Sequence, residues 1–168
     1  KLAMLITLLK PNYINKLIIA DIAPINYVND NHNIIDALLN LDLTLVRNRN
    51  HADELLSNEI EQKFLRSFLL QNIKLSDGKY KWSINLTSIK NAMNDLRSFP
   101  KIDKINKVDT KSLCIYGQKS DYVNEDHFQI FKNYFSNILF HKIKNAGHFL
   151  HIENPNEFYE VSKNFFKD

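Results

Sequence analysis

Three short apolar runs, each closed by a turn and each separated from the next by a helical pattern, constrain the fold more than any other feature. They are "LIIAD" (17–21), "SLCIYG" (112–117) and "ILFHKI" (138–143). The first two lack polar alternation and suit strands buried on both faces of a parallel sheet. "KLAMLITLLK" reads as a helix before the first strand, with apolar residues at 2, 5, 6 and 9. "EDHFQIFKNYF" (125–135) reads as a helix between the second and third strands, and "PNEFYEVSKNFF" (155–166) as a final helix that Pro155 suits at its first turn. Strands and helices in this alternation predict an α/β fold whose parallel strands are joined by right-handed crossovers.

From Pro24 to about Val108 the pattern turns helical, with helices expected at 32–47, 51–57, 59–73 and 83–97 and a loop at "LSDGKY". That block is too long for one crossover and predicts an insertion standing over the sheet. The expected organisation is core at 1–30, helical cap at 31–99 and core again at 100–168.

Composition narrows the classes of function. The 168 residues, 44% hydrophobic and 24% charged, are enough for one core. A net charge of +3 is spread along the chain without a dense basic run carrying aromatics, which argues against nucleic-acid binding. No apolar run reaches the length of a membrane span. A single cysteine, Cys114, forms no internal disulfide and favours a reducing compartment, cytoplasmic or organellar. Inside a strand it reads as an inert small hydrophobe.

Ligands of open α/β sheets collect beyond the carboxyl ends of the strands. Asp21 ends the first strand, Ser120 and Asp121 follow the second, and His148 follows the third in "NAGHFLHIENP". A hydrolase triad needs an imidazole to take a proton from a nucleophile and an acceptor to hold the other ring nitrogen. His148 supplies the ring, with Gly147 expected to provide backbone freedom for it. Asp21 can be that acceptor if its strand lies beside the nucleophile's, and Ser120 or Asp121 can serve from the neighbouring strand, through a hydroxyl or a carboxylate. Each also has a plainer reading, as a turn residue bonded to loop amides. His151 stands three residues after His148, but no third ligand at metal-site spacing follows, so no metal or other cofactor is expected. Arg66, among apolar residues, either pairs with a nearby carboxylate or recognises an acidic group on a substrate.

Five ordered blocks, "KLAMLITLLKPNYINKLIIADIAP", "FLRSFLLQNI", "WSINLTSI", "GQKSDYV" and "NAGHFLHIENPNEF", resemble the carboxyl-terminal part of α/β-hydrolase-fold esterases of the YbfF type. The resemblance covers nearly the whole chain. It implies a serine hydrolase of acyl esters or thioesters whose "G-x-S-x-G" elbow, absent from these residues, lies just upstream of Lys1. It matches His148 to the catalytic histidine and Asp21 to an acid beside it. Ser120 stands where many relatives place the triad acid. Phe64, Phe68 and Trp82 then line an acyl pocket in the cap, and Phe149 joins them beside the histidine. On this reading the chain by itself is inactive and folds poorly, with one sheet edge open. The rival reading is a non-catalytic, truncated or degenerate hydrolase that binds a protein partner.

Overall fold

The computed structural model describes residues 1–28, 32–102 and 106–167. In chain order its regular elements are helix α1 (Leu2–Leu9), strand β1 (Lys16–Ala20), helices α2 (His32–Asn40), α3 (Arg49–Leu56) and α4 (Lys63–Leu69), strands β2 (Ile73–Ser76) and β3 (Lys79–Trp82), and helices α5 (Leu86–Asn91) and α6 (Met93–Arg97). Strand β4 (Lys111–Gly117), helix α7 (Phe128–Tyr134), strand β5 (Ile138–Ile143) and helices α8 (Leu150–Glu153) and α9 (Pro155–Lys167) complete it. Two compact units result, one from residues 1–25 with 99 onward and one from Asn26–Ser98. The core–cap boundary expected between residues 30 and 31 lies outside the described residues.

The first unit is built on a parallel sheet of order β1-β4-β5. Lys16 to Ala20 align with Lys111 to Ile115, and Ser112 to Gly117 with Ile138 to Ile143. The central strand β4 is buried from Ser112 onward, as its unbroken apolar sequence requires. Strand β1 differs from expectation, because Leu17 and Ile19 are buried while Ile18 between them is only half-buried. Helix α9 packs Phe158, Val161 and Phe165 against Leu113, Ile115, Ile143 and Leu150. Those three positions recur at helical spacing, so the buried face was written in the sequence. Asn154 caps α9, its side-chain oxygen accepting the Glu157 N–H at 3.3 Å. Helix α1 buries Met4, Thr7 and Leu8, and leaves Leu2, Ile6 and Leu9 exposed. The stripe at 2, 5, 6 and 9 is therefore not the buried one; a helix apolar on every side carries no single period to read.

The second unit corrects the expected helical block. Its core gathers Leu38, Val46, Ala52, Leu56, Leu70, Ile73 and Leu86. The helix expected over 32–47 stops at Asn40, and that over 51–57 is Arg49–Leu56, started by the Asn48 side chain accepting the His51 N–H at 2.9 Å. The helix expected over 59–73 is α4 followed by a 3-10 turn at Leu70–Asn72. That over 83–97 is two helices meeting at Ala92, the first capped by Asn85. "LSDGKY" is a β-hairpin rather than a loop, with Ser76 opposite Lys79. Asp77 and Gly78 both take positive φ, 51° and 73°, the backbone of a tight hairpin turn in which Asp-Gly is favoured. Similarly, the helix expected over 125–135 is a 3-10 turn at Glu125–His127, capped by Asn124, running into α7.

Candidate active site

The site begins where β1 leaves the sheet. The Asp21 N–H still donates to the Ile115 carbonyl at 2.8 Å, which makes Asp21 the last residue the ladder holds. There φ becomes 46°, a left-handed value that aspartate tolerates better than most residues. The side chain turns inward and is 1% exposed. An unpaired buried carboxylate is costly, and three donors meet this one. Its Oδ1 accepts the Gly117 N–H at 3.2 Å. Its Oδ2 accepts the Ser120 hydroxyl, and also the His148 Nδ1–H at 2.9 Å. A carboxylate only accepts, which fixes the proton of neutral His148 on Nδ1 and leaves the Nε2 lone pair for chemistry. The imidazole is 39% exposed, and among the described residues no hydrogen bond reaches Nε2.

His148 is held through its backbone. The loops after β4 and β5 are tied together by Gln118 N–H to Ile143 O at 3.0 Å and Lys119 N–H to Ala146 O at 2.9 Å. A Cβ on Gly117 would lie 2.2 Å from the Gly147 carbonyl oxygen and 2.5 Å from that of Ala146, so only glycine lets the histidine loop cross the end of β4. The Glu153 carboxylate then grips both flanks of the histidine, accepting the Gly147 N–H at 2.7 Å and the Phe149 N–H at 3.1 Å. Gly147 keeps a φ outside the left-handed region, contrary to the expected source of its usefulness. A Cβ there would stand 3.1 Å from the Glu153 carboxylate, so close approach is what this glycine provides.

The ring is contacted as well. Tyr122 stacks on it with centroids 4.0 Å apart and planes 22° apart, and Phe149 meets it edgewise at 5.5 Å. Asp121 is exposed. His151 is also exposed, its ring 6.2 Å from that of Phe158, and among the described residues no group of three metal-binding side chains comes together. Cys114 is fully buried on β4, where burial and then the Asp21 charge push its thiol pKa up and keep it protonated. Phe64, Phe68 and Trp82 belong to the other unit. Phe64 and Phe68 lie one turn apart on α4, about half exposed, while Trp82 packs against that unit's core. Arg66 pairs with a nearby carboxylate, making a bidentate contact to Asp53 at 2.8 and 3.0 Å and donating to the carbonyls of Ile60 and Glu61. The Asp53 contact raises the guanidinium pKa.

A marine microorganism esterase superposes with a TM-score of 0.88 at 32% identity, over 97% of this chain and 65% of that one. The chain has the α/β-hydrolase fold. Among curated proteins the chain is 30% identical to the sn-1-specific diacylglycerol lipase ABHD11 of Danio rerio over 94% of its length and 51% of that protein. It is 27% identical to esterase YbfF of Escherichia coli over its whole length and 64% of that protein. The chain spans about half the length of the curated lipases it matches. No protein-family model matches it. The resemblance carried by the five sequence blocks is borne out.

Three residues of the candidate site are not singled out by the sequence: Gly117, Tyr122 and Glu153. Tyr122 and Glu153 stand inside motifs already singled out, "GQKSDYV" and "HIENP". Their roles depend on which loops meet in space, and spacing along the chain does not encode that. Gly117 carried a weak signal, as a glycine closing a buried strand that backbone approaches closely.

Proposed function

We propose that the whole protein cleaves carboxylic esters of acyl groups, and thioesters by the same chemistry, through a Ser-His-Asp triad. A serine from upstream of this chain attacks the acyl carbonyl carbon, and His148 Nε2 takes its proton. As the tetrahedral intermediate collapses, the bond to the leaving oxygen or sulfur breaks and His148 returns that proton to it. Water then repeats the cycle on the acyl-enzyme, with His148 again as base. Asp21 holds the tautomer and balances the imidazolium charge, and Ser120 fixes the Asp21 carboxylate. Phe149, edge-on to the imidazole, contributes apolar surface for the acyl chain. The scheme needs no metal or cofactor.

The observation that carries this reading is the 2.9 Å contact from a buried carboxylate to Nδ1 of a half-exposed imidazole. Chains named esterase and lipase among the relatives support the reaction class. The test is fluorophosphonate labelling of the full-length protein. One serine labels in the wild type, and the label drops strongly in H148A. A folded protein that takes no label overturns the proposal.

A further inference from the structure

Tyr122 is assigned no part in the chemistry above, yet its ring covers the imidazole face at a centroid distance of 4.0 Å with planes only 22° apart. The contact is tied into the site by more than proximity. The Tyr122 N–H donates to Ser120 Oγ at 3.1 Å, and Ser120 donates to the same Asp21 oxygen that accepts His148 Nδ1–H. Four residues thus close a cycle: Asp21 to His148, His148 to Tyr122 by stacking, Tyr122 to Ser120, and Ser120 back to Asp21. On the far side of Tyr122, Val123 is 1% exposed and Asn124 caps the next turn, so the segment is anchored at both ends.

We propose that Tyr122 is a positioning residue that also favours the charged form of His148 in the transition state. A neutral imidazole gains little from an aromatic face. Once Nε2 has taken a proton, the ring is a cation lying on an electron-rich π-surface, and that contact is attractive. An interaction stronger in the transition state than in the resting enzyme raises kcat rather than tightening substrate binding. The hydrogen bond from the Tyr122 amide to Ser120 keeps the aromatic platform and the acid in one frame.

This inference rests on the reading of His148 as the base, and the experiment separates the two. The full-length protein is prepared with Tyr122→Phe, Tyr122→Leu, and phenylalanine analogues bearing one to four ring fluorines at 122. Fluorination drains the π-face while leaving size nearly unchanged, so folding is preserved even where Y122L fails to fold. Y122F is expected within about twofold of wild type, and Y122L to lose about three- to thirtyfold in kcat with KM within about twofold. Across the fluorinated series log kcat should fall steadily. A flat series, or a loss in Y122F as large as in Y122L, overturns the role of Tyr122. Full activity in H148A overturns instead the reading of the base.

Discussion

Each of the two units contains a buried charged group, and the two are satisfied in different ways. In the inserted unit the Arg66 side chain is 8% exposed and gives four of its five N–H donors to Asp53 and to two carbonyls. In the sheet unit Asp21 is 1% exposed, but one of its three donors is a 39% exposed imidazole whose far nitrogen takes no hydrogen bond among the described residues. Burial of charge therefore does not mark function by itself. The distinguishing feature is whether every partner is consumed or one remains available to a substrate.

Four experiments can break or sharpen that contrast. The largest effect is expected from D21N, which keeps the shape of the acid but removes its charge and replaces one acceptor oxygen by a donor NH2; kcat should fall by about 10^3 to 10^4 with the melting temperature little changed. Retained activity in that variant would mean that Ser120 or Asp121 orients the ring after all. E153A frees two amides beside His148, and steady-state kinetics should show kcat lowered about tenfold, with faster hydrogen exchange at Gly147 and Phe149. If exchange rises and kcat does not move, the loop needs no second anchor.

Arg66→Met should do the reverse of D21N. Thermal unfolding should begin several degrees lower while kcat/KM stays within about twofold, because no reacting atom is touched. The pH dependence follows from Asp53, whose hydrogen bonds to Arg66 hold its pKa below the usual carboxylate range. The unfolded chain binds that proton more readily, so the contribution is full above the ordinary carboxylate range and is lost as pH falls through the lowered value. R66M should flatten this acid limb in a melting series from pH 6 to about pH 3. A steep limb that survives in R66M would assign acid sensitivity elsewhere. The smallest effect is expected at Cys114: maleimide should leave the folded protein nearly unmodified and react fully only after unfolding.

The legible parts of this molecule were those written as contiguous pattern. Strand β4 is legible because the six residues 112–117 in a row are suited to burial, and α9 because Phe158, Val161 and Phe165 repeat at helical spacing. Asp21 and His148 were found because strand ends in a parallel sheet are where chemistry gathers. The inserted unit was read less well. Asn85 starts a helix inside the span 83–97 that apolar periodicity treats as one, α2 ends at Asn40 where that periodicity continues to 47, and the Asp77–Gly78 pair makes a hairpin where a loop is expected. Gly117, Tyr122 and Glu153 were missed for another reason. They act through carbonyl clearance, ring overlap and amide capture between loops, and these exist only after the sheet has brought the strand ends together.

The acid and the base lie 127 positions apart along the polypeptide. Closing so long a loop is entropically expensive and belongs to the late stages of assembly. While a ribosome is still translating, the aspartate exists long before any imidazole can reach it, and the whole inserted unit must emerge between the two. Under the proposed triad, reactivity is thus withheld from the nascent chain until His148 has emerged and met Asp21.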